Sequence, residues 1–207
     1  IYVIYLGIDN KFLNNQISDY YIKNFDYKNY IVSVLSCVKY HNIINLLKAF
    51  KLLKESENIK TRFVLVLQIL DKDYFLKINK FIKDNFENDE IIIFSNLESK
   101  FLINLYQNSI FYIFSSYCEV FGLTSLEAMS QGCPVLISNS SALPEINSNA
   151  AEYFDPDNEI NIKNAMQKVL IDSNYRTNLI NKGKSHCKKF NWNHTVSQTM
   201  KVLNIIN

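Results

Sequence analysis

The chain has 207 residues, 48% of them hydrophobic, enough for one well-packed domain with at most a short appendage. A net charge of +2 with scattered lysines argues against a nucleic-acid binder, which needs a concentrated basic stripe. Four dispersed cysteines and three histidines give no zinc ligand set, and no apolar run is long enough to cross a bilayer. The cysteines are therefore expected to be small buried hydrophobes in a reducing compartment, the cytoplasm. The sequence begins at Ile1 with no visible signal peptide, and a preceding part of the protein is expected to be missing.

The segment before Tyr30 is irregular, and its aromatic cluster (Tyr20, Tyr21, Phe25, Tyr27 and Tyr30) is expected to pack against the domain. From Ile31 onward, nearly continuous runs of Val, Ile, Leu and Phe mark strands at Ile31–Leu35, Phe63–Leu67, Ile91–Phe94, Ile110–Phe114 and Val135–Ile137. Such runs suit strands buried on both faces. Between them, apolar residues recur at intervals of three and four over Asn42–Lys54, Tyr74–Phe86, Ser99–Gln107 and Thr124–Gln131. Asn42 is placed as a helix N-cap. Alternating strands and helices predict a doubly wound α/β domain with one parallel, Rossmann-like sheet. Beyond Phe154, the turn Asp155-Pro156-Asp157 leads into helical segments at Ile160–Ile171, Asn174–Lys188 and Thr195–Ile206. Lys182, Lys184, Lys188 and Lys189 read as a solvated helix face, with contact to anionic lipid or a phosphorylated partner as the alternative. Trp192 reads as a core anchor, and His186 and His194 as surface or capping residues.

In an open parallel sheet, ligands bind beyond the C-terminal strand ends. That directs attention to the loops Ser36–His41, Ser95–Ser99, Ser115–Thr124 and Ser138–Glu145. In the third, Gly122 stands where the loop turns into a helix. There, backbone N–H groups and the helix dipole make a seat for an anion such as a diphosphate. Glu119 and Glu127 flank this seat, and carboxylates accept hydrogen bonds from pairs of hydroxyls. The residues alone leave open that both glutamates are merely solvated.

The block Glu119-Val-Phe-Gly-Leu-Thr-Ser-Leu-Glu127-Ala-Met-Ser-Gln-Gly132-Cys-Pro134-Val resembles the donor-site signature of the retaining GT-B glycosyltransferases. That signature is two glutamates separated by seven residues around a Phe-Gly-Leu turn. Ser138–Glu145, Ala150–Pro156, Phe190-Asn-Trp192 and Tyr2–Asp9 resemble further segments of the same fold, in order. The resemblance implies that residues 1–207 are the C-terminal, nucleotide-sugar-binding half of such an enzyme, without the N-terminal acceptor domain. It implies that Glu119 holds donor-sugar hydroxyls close to the reacting carbon, and is the residue nearest to a catalytic one. The backbone N–H groups of Phe121, Gly122 and Leu123 would contact sugar and phosphate, and Thr124 would complete the anion seat. Glu127 would bind ribose hydroxyls, and Asn96 and Leu97 would line the base. No metal or other cofactor is implied. The donor would be a nucleotide diphosphate-sugar, and the acceptor a saccharide or lipid-linked saccharide met at the cytoplasmic membrane face.

One departure stands out. The family usually places an arginine or lysine just after the first of these strands and a lysine some five residues later, both directed at the diphosphate. Ser36 and His41 occupy those positions here, with Lys39 between them. Lys39 or His41 is the expected phosphate contact. If neither serves, the alternatives are a non-catalytic nucleotide-binding or interaction module, or another enzyme of this fold, such as a sugar-nucleotide epimerase.

Overall fold

Six short runs of branched and aromatic residues line up as one parallel sheet in the computed structural model, which describes residues 1–13 and 20–206. In chain order the elements are α1 (Asn10–Leu13), β1 (Tyr30–Cys37), α2 (Ile43–Glu57), β2 (Arg62–Ile69), α3 (Lys72–Asn85), β3 (Ile91–Ser95) and α4 (Ser99–Asn108). They continue with β4 (Tyr112–Phe114), α5 (Leu123–Ser130), β5 (Val135–Ser138), α6 (Leu143–Asn147), β6 (Glu152–Phe154), α7 (Glu159–Ile171), α8 (Ser173–His186) and α9 (Trp192–Ile206). Strand order is β3-β2-β1-β4-β5-β6 with every pairing parallel. Successive strands step outward from β1 to β3, and the chain then crosses back to β4. The sheet thus reverses direction between β1 and β4, the place where such sheets open a crevice.

The sequence expectation of a doubly wound domain holds, with strand and helix ends shifted by up to three residues. The largest shifts move the end of α2 from Lys54 to Glu57 and the start of α9 from Thr195 to Trp192. α1 and α6 were not anticipated, because four or five residues are too few to display a helical period. The central strands are buried, while β3 at the edge is only half-buried, as its single neighbour allows. α2 packs with α3 and α7, and α5 packs with α1, α4 and α8, so the helices fall into two groups covering the sheet. Three cysteines are buried, and Cys118 is exposed on the loop after β4.

Several residues depart from their expected roles. Asn42 precedes α2 in a left-handed conformation (φ 56°), and its side chain caps no helix amide. Its Nδ2 donates instead to the Pro156 carbonyl oxygen at 2.7 Å, tying α2 to the turn before α7. Trp192 is 45% exposed at the start of α9 and is not a core anchor. His186 is buried, with Nε2 at 2.7 Å from the Ile146 carbonyl oxygen, because α8 lies across the α6 region. His194 is exposed, and its amide is capped by Asn191 Oδ1 at 2.9 Å. In the aromatic cluster, Phe25 contacts Tyr27, Tyr30 and Phe94 edge-on, while Tyr20 and Tyr21 stay exposed.

The core holds one imperfection. The Tyr106 hydroxyl is fully buried and, among the described residues, has no hydrogen-bond partner. Burial pushes its phenol far above the ordinary range, since an isolated charge there would be poorly solvated. Tyr106→Phe removes an unpaired polar group without changing shape, and is expected to stabilise the protein by about 1 kcal/mol. Urea unfolding measures this; a loss of stability would mean that the hydroxyl is paired.

Candidate functional site

The crevice at the sheet reversal is a cleft of about 300 Å³. Val34, Leu35 and Ser36 of β1, Val66, Leu67 and Gln68 of β2, and Phe114 of β4 form its floor. Asn96 and Leu97, from the loop after β3, form one side, and Glu119, Gly122, Leu123 and Thr124 form the other. His41 closes the end near β1. Eight of these residues are expected from the sequence: Ser36, His41, Asn96, Leu97, Glu119, Gly122, Leu123 and Thr124. They come from three separate loops, and the fold brings them together.

The loop after β4 is held by serines. Ser115 Oγ donates to the His41 carbonyl oxygen at 2.8 Å, and Ser138 Oγ donates to that of Ser116 at 2.5 Å. Ser141 Oγ donates to the Glu119 carbonyl oxygen at 2.8 Å. These hydroxyls, buried at Ser115 and Ser138 and exposed at Ser141, replace the ladder bonds that an irregular segment lacks. Nothing in the local sequence points to Ser141 as a support for Glu119, because they belong to loops after different strands.

At the turn, Gly122 adopts φ 80°, a left-handed conformation that glycine reaches without strain. A Cβ there would also lie 2.6 Å from Leu143 Cδ2. α5 starts at the next residue. The amides of Phe121, Gly122, Leu123 and Thr124 carry no hydrogen bond among the described residues. This side of the cleft therefore presents N–H groups without partners among the described residues at the positive end of a helix dipole, an arrangement that suits an anion. The Phe121 ring points away, packing against Tyr5 and Phe190 with centroids 6.2 and 5.8 Å distant. The Thr124 hydroxyl is engaged by the Tyr112 hydroxyl at 2.7 Å, which fixes the first turn of α5 from below.

Glu127 lies about one turn into α5, half-buried, and is not part of the cleft wall itself. Burial pushes its carboxyl up to about 7, partly opposed by Lys11 and reinforced by Asp9. Its side chain has no hydrogen-bond partner among the described residues, so both oxygens are free to accept. His41 is buried, with Nδ1 at 2.6 Å from the Ser36 carbonyl oxygen and Nε2 at 3.1 Å from Glu119 Oε1. Lys39 does not enter the cleft. It sits exposed on the short helical turn Lys39–His41, so the structure does not support it as the phosphate contact. The cleft wall contains no Lys or Arg among the described residues. Among the described residues, no group of three His, Cys, Asp or Glu side chains is placed to hold a metal ion.

A doubly wound α/β domain with a glycine-turn anion seat at the sheet reversal, flanked by glutamates, defines the class. The model of the glycosyl transferases group 1 family matches residues 21–186, and the chain belongs to that family. It is 32% identical to O-antigen chain mannosyltransferase B of Escherichia coli over 102 residues, 49% of this chain and 27% of the relative. It is 24% identical to O-antigen chain mannosyltransferase RfbU of Salmonella typhimurium over 149 residues, 72% of this chain and 40% of the relative. The matched segments thus span less than half of either relative. A glycosyltransferase structure from Rickettsia africae ESF-5 superposes with a TM-score of 0.83 at 16% identity, covering 98% of this chain and 56% of that one. A structure titled "Trehalose-6-phosphate from E. coli bound with UDP-2-fluoro glucose" superposes with a TM-score of 0.80 at 12% identity, covering 96% and 50%. At these identities the likeness establishes the fold. No helix of the described residues is long and apolar enough to cross a membrane.

Proposed function

We propose that this chain is the donor-binding domain of a glycosyltransferase that moves a hexosyl group from a nucleotide diphosphate-sugar to a saccharide or lipid-linked acceptor. The observation that carries the reading is the anion seat of Gly122, Leu123 and Thr124 between the two glutamates, set in the crevice of the sheet. The diphosphate lies against the free amides of α5, where the dipole stabilises the leaving group's charge. Glu119 holds sugar hydroxyls, Glu127 the ribose, and Asn96 and Leu97 flank the base. The bond from the anomeric carbon to the phosphate oxygen breaks, and one to the acceptor oxygen forms. The acceptor's proton passes to the departing phosphate, and the configuration is retained. The protein supplies position and charge stabilisation, with no metal or other cofactor.

The mannosyltransferase names of its relatives favour a mannosyl donor and a role in O-antigen or related envelope polysaccharide assembly. The acceptor-binding groups belong to a further domain. The reaction takes place in the cytoplasm, with the enzyme peripheral to the membrane face where lipid-linked acceptors are met. The lack of Lys or Arg in the cleft wall favours one second reading, a nucleotide-binding or interaction module without catalysis.

Calorimetric titration with UDP, GDP and ADP tests the donor site. One nucleotide is expected to bind saturably, and Glu127→Ala to weaken it by about tenfold, the loss of about one charge-assisted hydrogen bond. Binding by none of the three would reject the donor site. Nucleotide binding without transferase activity in the full-length protein would favour the second reading, and full activity in Glu119→Ala would reject the role given to Glu119.

A further inference from the structure

His41 stands where the family resemblance places a phosphate-binding lysine, yet its geometry is unsuited to that work. Nδ1 faces the Ser36 carbonyl oxygen at 2.6 Å, an atom that only accepts, so Nδ1 carries a proton. Nε2 faces Glu119 Oε1 at 3.1 Å. This second contact is attractive only if one further proton lies between nitrogen and carboxylate, on either atom. The ring cannot readily turn away. Tyr40 and Phe114 pack against it edge-on, with centroids at 4.7 and 5.4 Å, and the residue is 5% exposed. Both nitrogens are therefore committed, and neither is left for a phosphate.

We propose that His41 is a positioning residue for the sugar end of the donor, acting through Glu119 and not on the diphosphate. The proposal rests on the reading of this cleft as a donor site. Glu119 is held at two points: its carbonyl oxygen by Ser141 Oγ at 2.8 Å, and Oε1 by His41. Oε2 has no partner among the described residues and stays available to sugar hydroxyls. Pinning one oxygen removes rotamer freedom that binding would otherwise have to remove.

Two substitutions separate this role from phosphate contact. In His41→Gln, the amide nitrogen can occupy the place of Nε2 and still donate to Glu119. In His41→Asn, the shorter side chain reaches only the place of Nδ1. The protein and both variants are titrated with UDP and GDP, and with UDP-glucose and GDP-mannose. Affinity for the free diphosphates is expected to stay within about twofold in both variants. Affinity for the sugar nucleotide is expected to fall about tenfold in His41→Asn and to remain within about threefold in His41→Gln. Equal losses for diphosphate and sugar nucleotide would overturn the proposal and place His41 on the phosphate. So would equal sugar-nucleotide losses in Gln and Asn variants that unfold at the same temperature. If the unaltered protein binds none of these probes, the donor-site reading fails, and the histidine ring ¹⁵N spectrum of the free protein decides the pair. A His41 Nε2 resonance that moves in Glu119→Ala supports the coupling, whereas one that does not respond rejects it.

Discussion

Glu127→Gln is expected to raise stability by up to about 3 kcal/mol at pH 8.5 and by little at pH 4, below the ordinary carboxyl range. The cause is the burial of its carboxyl on α5, which pushes it from 4.5 up to about 7. Lys11 favours the charged form and Asp9 opposes it. These two form an ion pair with each other at 2.9 Å, which leaves Glu127 little net help. The sign follows from the protons bound. Between pH 4.5 and 7 the folded state keeps a proton that the unfolded chain has released, so stability falls as pH rises through that window. Above it, the full cost of a half-buried carboxylate is present. Glutamine never ionises and escapes that cost. Urea denaturation of both proteins at the two pH values measures it, and a difference that does not vary with pH would show that Glu127 is ordinarily solvated.

The same group links stability to the proposed binding. Ribose hydroxyls donating to an ionised Glu127 would lower its carboxyl again, so nucleotide affinity should strengthen as pH rises through about 7. A carboxylate that is costly in the empty protein and relieved by ligand is the pattern of a binding residue; a merely structural glutamate would be paired within the protein.

Gly7→Ala is expected to destabilise the protein by about 3 kcal/mol, lowering its unfolding midpoint by about 10 °C. A Cβ at Gly7 would lie 2.3 Å from Trp192 N, 2.7 Å from Asn191 C and 2.8 Å from Trp192 Cα. All three are backbone atoms, so no side chain can rotate to make room. The contact is where the N-terminal segment meets the start of α9. The Ile8 amide donates to the Phe190 carbonyl oxygen at 2.9 Å, and Thr195 Oγ1 donates to that of Tyr5 at 2.8 Å. Ile8 itself is buried. Separating the two strands of chain would break both bonds and expose Ile8. Tyr5 also packs against Phe121 and Phe190, so the displacement would loosen the back of the Gly122 turn. Trp192 is the sole tryptophan, and its emission reports this site directly. An unchanged midpoint and spectrum in the variant would mean that the close approach is not maintained in solution.

The sequence by itself determined the alternation of strands and helices, because both signals are local. A strand buried on two faces must be apolar throughout, as Phe63–Leu67 is, and a helix must repeat its apolar residues every three or four positions, as Ile43, Leu46, Leu47 and Phe50 do. The glycine turn into α5 was legible for the same reason. Gly122, the helix behind it and the flanking glutamates lie within one short stretch, and their chemistry depends on that spacing.

Partnerships across the fold were not legible. His41 meets Glu119 from 78 residues away, Asn42 reaches Pro156 across 114, and His186 finds Ile146 across 40. The neighbouring residues showed none of these partners: Asn42 stands at the N-cap position of α2 but its side chain bonds elsewhere, and His186, read as a surface or capping residue, is buried. Trp192 was misjudged as well, since its size suggests burial but α9 leaves it half in solvent. Which polar groups meet depends on the order of strands in the sheet and on which helix lies over which. That order is set by the packing of the whole core, where no single residue type or spacing carries the information. The tertiary structure alone decided that the His41 imidazole faces the Glu119 carboxylate, because the loops that follow β1 and β4 lie side by side although they are far apart in the chain.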